Sequence, residues 1–268
     1  MKLSLLSFNT FGVPFFSPDV KGRYKRAAEI IEQSNTDIVC LQEISTYYHF
    51  SVIKKYLKSY PYVVKHNNIW GPRGGLVIAS KVPIEEITYT NFRALGTFRD
   101  ASFYTRLNKN GLLTVKVKNH DLYIVNTHTV TDFEFEWSPQ NKLYQHVKGQ
   151  VLEITEMIKK LSHQEKNIIV TGDFNIKKNS QLYKSFLTET NAMDLFGKEI
   201  EPTYFHDRDS RFPGKTSERI DFMFYIKGKK KLTPLTRTHL FEKEEILSNG
   251  KKSYLSDHIG LKIDFDIV

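Results

Sequence analysis

"NIIVTGDFNIKKN", residues 167–179, holds an apolar run, Ile168 to Val170, that stops abruptly at Gly172-Asp173-Phe174-Asn175. The run predicts a buried strand. In an extended chain the side chains at i and i+2 leave the same face. Asp173 and Asn175 are therefore expected to leave the strand tip together, a carboxylate and a carboxamide aimed at one spot. The same pattern recurs along the chain. Asn9 ends the apolar run Leu3 to Phe8, and Glu43 ends Asp37 to Gln42. Asn126 and His128 end the run that begins at Leu122, Asp221 lies in an alternating segment, and Asp257-His258 precedes the last strand. Each strand is predicted to act as a rigid arm presenting its polar tip to a shared cleft.

Working outward from these tips, Leu76 to Ala79 reads as a further apolar strand introduced by Gly74-Gly75. Leu113, Val115 and Val117 alternate with Thr114, Lys116 and Lys118, and Asn119-His120-Asp121 then predicts a hairpin turn. Ile220, Phe222, Phe224 and Ile226 alternate with Asp221, Met223 and Tyr225, and Leu261, Ile263, Phe265 and Ile267 alternate with polar residues. Helical spacing appears over 20–34, where Tyr24, Ala27, Ala28 and Ile31 share a face. It is clearest over 140–161, where Leu143, Val147, Val151, Ile154, Ile158 and Leu161 line one side. Ser180 is placed to cap a helix over 181–190. Residues 129–139 and 200–217 read as long loops. A helix does not follow every strand beyond residue 80. The expected fold is α/β: a four-layer sandwich of two mostly antiparallel sheets packed face to face with helices outside, as one domain over 1–268.

The chain has 268 residues, 40% of them hydrophobic, and a formal net charge of +9. Its single cysteine, Cys40, excludes an internal disulfide framework. The apolar stretch at the start is too short for a signal peptide, and no run reaches the length of a membrane span. The expectation is a cytoplasmic, monomeric protein. The basic balance favours anionic partners, although it also serves solubility. The densest run, Lys227 to Lys231, follows a strand and includes a glycine, which reads as a solvated turn.

Two imidazoles, several carboxylates and several carboxamides in one cleft suit phosphate-ester hydrolysis. The phosphoryl group spreads negative charge over its oxygens and needs donors or a divalent cation. Water must also lose a proton, and the leaving oxygen must be stabilised. Mg²⁺ takes one or two carboxylates and keeps waters, and Glu43 suits that duty. Zinc suits it less, with one cysteine and no His pair at ligand spacing. Singly, each group has an ordinary explanation: a solvated Glu, a Gly-Asp-x-Asn turn, a Ser-Asp-His cap. Phe174, Phe222 and Met223 read as core. His49, His66, His120, His146, His163, His206 and His239 lack a supporting pattern. The combination and order carry the signal.

That combination resembles the endonuclease/exonuclease/phosphatase superfamily. The matching segments are "LSFNTFG" (6–12), "DIVCLQE" (37–43), "GGLVIASKVPI" (74–84), "VNTHT" (125–129), "VTGDFN" (170–175), "RIDFMF" (219–224) and "LSDHIG" (255–260). The resemblance implies a four-layer α/β sandwich. It implies Mg²⁺ on Glu43, supported by Asn9 and Asp257, with Mn²⁺ as a substitute. His258 would be the general base or phosphate-binding imidazole, oriented by Asp221. Asp173 and Asn175 would position water and hold a phosphate oxygen, His128 would contact the phosphate or leaving group, and Asn126 would hydrogen-bond within the site as a further substrate contact.

Within the superfamily, Phe11 stands where apurinic-site endonucleases carry an acidic residue, and the disulfides of secreted nucleases are lacking. "FNTFG", "GGLVIASKVPI", "NKNGLLTVKV" (108–117) and "NTHT" are similar to neutral and bacterial sphingomyelinases, with Asn110-Gly111 where Lys-Gly is common. A sphingomyelinase-like phosphodiesterase is therefore expected, and the aromatics of 129–139 have two readings: a peripheral contact with membrane lipid, or packing onto the body of the domain. A nuclease or nucleotide phosphodiesterase is the alternative. A phosphate-binding scaffold without turnover is disfavoured, because every motif keeps its polar residue.

Overall fold

The structure, a computed structural model, describes residues 2–95, 103–131, 140–199, 201–208 and 216–268. In chain order the first half runs β1 (Lys2–Asn9), α1 (Val20–Gln33), β2 (Ile38–Gln42), α2 (Tyr47–Tyr56), β3 (Tyr62–Val64), β4 (Val77–Ser80) and β5 (Ile84–Asn91). Then come α3 (Phe103–Asn108), β6 (Gly111–Val117), β7 (Leu122–His128), α4 (Lys142–Ser162), β8 (Asn167–Asp173), α5 (Gln181–Thr190) and β9 (Met193–Asp194). The last part holds β10 (Asp221–Ile226), β11 (Leu232–Leu240), the short pair β12 (Glu245–Ile246) and β13 (Lys252–Ser253), and β14 (Gly260–Ile267).

Two six-stranded sheets result, ordered β11-β14-β1-β2-β4-β3 and β5-β6-β7-β8-β10-β9. Each is antiparallel except for one central parallel pair, β1 with β2 and β7 with β8. A parallel pair needs a long crossover, and here α1 and α4 supply it. The predicted sandwich is what forms.

Alternation along the strands explains the layers. Leu5, Cys40, Ile124, Ile169 and Met223 face between the sheets. Their neighbours Leu6, Val39 and Leu41 turn outward against α1 and α2. Val125, Val170, Phe222 and Phe224 turn outward against α4 and α5. The predicted helices at 20–34, 140–161 and 181–190 all form, and the Ser180 hydroxyl accepts from the Tyr183 N–H as a cap. The hairpin joining β6 to β7 forms at the predicted turn. Phe174, Phe222 and Met223 are core, as expected. Among the described residues no helix is long and apolar enough to cross a membrane. Of the two predicted long loops, 132–139, 200 and 209–215 lie outside the described residues, so both readings of the aromatics Phe133, Phe135 and Trp137, lipid contact and packing onto the domain, fall there.

Candidate active site

The inward alternation decides where the polar tips go. Counting by twos from Leu5, Cys40, Ile124, Ile169 and Met223 reaches Asn9, Gln42, Asn126 and His128, Asp173, and Asp221. β1, β2, β7 and β8 end where the antiparallel β10 and β14 begin. All these groups therefore collect at one end of the space between the sheets, where residues from position 9 to position 258 meet.

Asp173 stands at the centre. Its Oδ2 accepts from Asn9 Nδ2 at 2.9 Å, and its Oδ1 accepts from the Asn175 N–H at 3.0 Å. The same Oδ2 lies 3.6 Å from His128 Nε2 and 3.7 Å from His258 Nε2. On the far side of its ring, His258 Nδ1 bonds Asp221 Oδ2 at 2.8 Å. Asp257 Oδ1 lies 3.9 Å from His258 Nε2 and accepts from the Ser256 hydroxyl at 3.2 Å. Ser256 in turn donates to the Asn9 carbonyl at 2.7 Å, tying the loop before β14 to the tip of β1.

Glu43 sits beside this group. Asn9 Nδ2 donates to its Oε1 at 3.2 Å, and the Gly12 N–H donates to its Oε2 at 3.0 Å. His128 Nε2 is 3.9 Å from Oε1. The Glu43 backbone is left-handed, at φ 60°, a conformation costly for a side chain of this kind and typical of functional positions. Gly12 is obligatory here, because a Cβ would strike the Glu43 carbonyl and the Tyr24 hydroxyl. Gly172, at φ 138°, allows β8 to approach the Thr127 carbonyl closely just before Asp173.

Two expected site residues are used differently from the sequence reading. Asn126 donates to the carbonyls of Leu41 (3.0 Å) and Val77 (3.2 Å) and accepts from Gln42 Nε2 at 2.8 Å. Both its amide hydrogens thus join the sheets, and they offer nothing to a substrate. Asn9 turns its NH₂ toward the carboxylates, and the Phe11 N–H fixes that orientation by donating to Oδ1 at 3.1 Å. As placed, it braces Glu43 and Asp173 rather than presenting a carbonyl to a cation. Asn175 lies at the site, its amide donating to the Thr129 carbonyl at 3.1 Å. Sequence reasoning missed Gln42, Thr203, whose hydroxyl accepts from the Asp221 N–H at 3.0 Å, and Arg23, which crosses beneath the site.

Charge follows from this crowding. Burial, with the charge of Asp221 added, pushes Asp173 up to about 6, against the opposing pull of His258 and His128. Burial alone would lower His258, but Asp221, Asp257 and Asp173 together outweigh it and raise the ring well above the ordinary histidine range. Stability from a raised group is complete below its unfolded value and is lost as pH rises through its folded value. Metal-free protein in EDTA is thus expected to melt at progressively lower temperature as pH rises above the ordinary histidine range, because His258 gives up its proton. Asp173 acts in a more acidic window, between its ordinary value and about 6. The His258→Asn protein should show a flatter profile over the alkaline range by scanning fluorimetry. An unchanged slope would mean that another group sets it.

Asp173, Asp221 and His258 offer ligand atoms all within 4.8 Å of one another. Glu43 and Asp257 add two more carboxylates, and among the described residues no thiolate is near. His128 Nε2 is buried without a hydrogen-bond partner. A buried excess of carboxylates over cations, with hard oxygen donors and an unsatisfied imidazole nitrogen, is able to hold a metal ion beside an anionic group.

Residues 6–258 match the Endonuclease/Exonuclease/phosphatase family. The chain belongs to that family. Its members act on phosphoric ester bonds, so this chain is by class a hydrolase of phosphoric ester bonds. Among curated proteins it is 25% identical to "Phospholipase C" of Staphylococcus aureus, across 90% of this chain and 78% of that one. It is 24% identical to human "Sphingomyelin phosphodiesterase 2", across 66% of this chain and 41% of that one. Among solved structures, D. rerio TDP2 complexed with single-strand DNA product has a TM-score of 0.73 at 20% identity, covering 99% of both chains. A Staphylococcus aureus beta toxin variant with bound magnesium ions has a TM-score of 0.72 at 17% identity, covering 98% of this chain and 99% of that one.

Proposed function

We propose that the chain is a Mg²⁺-dependent phosphodiesterase of the sphingomyelinase type, releasing a phosphorylated headgroup by attack of water on phosphorus. The observation that carries the hydrolytic reading is the pair of imidazole Nε2 atoms, from His128 and His258, flanking the Asp173 carboxylate at 3.6 and 3.7 Å. The lipid side is supported by likeness to a phospholipase C over nine-tenths of the chain.

Glu43 and Asp257 would hold Mg²⁺, the ion named with the similarly folded beta toxin variant, and Mn²⁺ would suit the same oxygens. When bound, the ion neutralises phosphate charge and makes water easier to deprotonate. The chain's own residues do the rest. Asn9 keeps Glu43 and Asp173 at fixed separation through one NH₂ group. Asp221 holds His258 Nδ1–H, which leaves Nε2 to take a proton from water or give one to the leaving oxygen. Asp173 and Asn175 orient the water, and His128 Nε2 is free to meet a phosphate oxygen.

A nuclease reading has specific support in the likeness of fold to TDP2 with single-strand DNA and in the charge of +9. Parallel assays separate the two. Phosphocholine release from sphingomyelin vesicles with Mg²⁺, abolished by EDTA, is expected. No release from any phospholipid, with oligonucleotide trimming that falls steeply with salt, would replace the lipid reading.

A further inference from the structure

We propose that two loop tips beside the active site, 13–18 and 67–72, form a rim that seats the enzyme on a phospholipid bilayer. The inference deepens the lipid reading above and rests on it. Both tips grip the same turn. The Gly12 N–H, at the root of the first tip, bonds Glu43 Oε2 at 3.0 Å. The Tyr47 N–H bonds the Trp70 carbonyl of the second at 3.0 Å, and the Ile44 N–H bonds the Gly75 carbonyl at 2.9 Å. Both tips therefore flank residues 43–47 at the end of the sandwich where the catalytic groups gather.

The tips are built structures that break local rules in the same way. In the second, the Asn68 N–H bonds the Gly71 carbonyl at 2.9 Å, Asn67 pairs with Pro72, and the Arg73 N–H bonds the His66 carbonyl at 2.7 Å. This is a tight hairpin turn with Ile69 and Trp70 at its apex. Such apices favour Gly, Asn, Asp or Pro. Yet Ile69 is 77% exposed and Trp70 67%. In the first, the Phe16 and Ser17 N–H groups close onto the Val13 carbonyl at 3.3 and 3.1 Å. Phe15 is held at φ 67°, a conformation seldom adopted by a bulky residue, and its side chain is wholly exposed, with Phe16 62% exposed. Two turns that each hold two large apolar side chains away from the core, against turn propensity, point to a use outside the core.

Charge selects the occupant. Residues 13–18 (VPFFSP) and 67–72 (NNIWGP) carry no charged side chain. A nucleic acid would be met by cations among the rings, because phosphate contacts dominate such affinity. Here cations sit at the base of the second tip, not within it: Lys65 Nζ lies over the Tyr47 ring at 5.3 Å and the Phe50 ring at 4.9 Å, with Lys54 over Phe50 at 5.8 Å, and Tyr47 itself bonds the Asn68 and Trp70 carbonyls. Uncharged apolar tips, the second rooted beside aromatic-bound lysines, match the depth profile of a bilayer, acyl chains first and phosphate headgroups behind.

The test uses the full chain and vesicles of phosphatidylcholine, sphingomyelin and phosphatidylserine. Trp70 serves as the reporter after the other tryptophan, Trp137, is changed to Phe. Its emission should move to the blue on mixing. Phe15→Ser with Phe16→Ser, and separately Ile69→Ser with Trp70→Ser, should each weaken vesicle co-sedimentation by at least about tenfold. Hydrolysis of soluble bis(p-nitrophenyl) phosphate and the melting temperature should stay unchanged. Undiminished vesicle binding by both double variants would overturn the proposal. So would loss of oligonucleotide binding in the variants while vesicle binding persists. Vesicle binding that depends on the tips, without lipid cleavage, would uphold the docking rim and sink the sphingomyelinase reading. Normal lipid cleavage by both variants would do the reverse.

Discussion

The His258→Asn protein is expected to hydrolyse its phosphodiester about 10³-fold more slowly than the wild type, the middle of the range for losing a positioned acid or base. Asp221→Asn should cost about 10²-fold or more, and the double variant should be no slower than His258→Asn alone. The reason is the single chain of contacts through the ring. Asp221 meets Nδ1 at 2.8 Å, so it fixes which nitrogen carries the proton and leaves Nε2 facing Asp173. Its own position is set by the Thr203 hydroxyl, which accepts from the Asp221 N–H at 3.0 Å. An Asn there can turn its NH₂ toward Nδ1 and reverse the tautomer. Once the ring is gone, Asp221 has nothing left to orient. A double-mutant cycle on kcat/KM checks this, and losses that multiply independently would contradict it.

The site was largely legible because the rule behind it is local. Alternation fixes which face a residue takes, and a polar residue ending an inward-facing row has to emerge at the rim. That rule brought Asp173, His128 and Asp221 to one place from positions far apart. It misled for Asn126, whose inward face is one step deeper than that of His128. There the opposite sheet, through Gln42 and the carbonyls of Leu41 and Val77, claims the amide first. Depth between two sheets is a tertiary quantity, and one strand's pattern does not contain it. For Asn9 the residue was foreseen, but the direction of its amide depends on the backbone of Phe11.

The unread elements have equally physical causes. β5 is an edge strand with most of its residues exposed or half-exposed, and its pairing slips between Glu85 and Thr88, which erases a clean alternation. β11 is likewise an edge strand, irregular after Pro234. α2 buries only His49, Val52 and Ile53, too few for a helical period to stand out in "YYHFSVIKKY". α4, by contrast, buries a residue on nearly every turn of its 21 residues, and its period is plain.

Arg23 shows what no pattern reveals, and its removal should have the largest effect on stability. The side chain is buried, and four hydrogen bonds go to backbone carbonyls: Pro18 at 2.7 Å, Thr10 at 3.1 Å, Phe11 at 2.9 Å and Leu255 at 2.6 Å. Carbonyls have no sequence signature, so nothing in the chain announces these partners. The guanidinium thereby joins the loop after Asn9 to the loop before Asp257 and His258. Arg23→Met would leave those acceptors buried and unpaired, and a loss of about 3–4 kcal/mol is expected after partial relaxation. For a chain of this size that lowers the melting temperature by roughly 6–10 °C. Arg23→Lys should recover little, because one ammonium on a flexible stem does not span four acceptors set around a planar fork. At temperatures where Arg23→Lys stays folded, more Mg²⁺ should be needed for half-maximal rate, since the Gly12 N–H that supports Glu43 lies in the loop Arg23 holds. Thermal melts and a metal titration of rate measure both. A wild-type melting temperature in Arg23→Met would mean that water replaces the guanidinium at no cost and that the two loops keep their register without it.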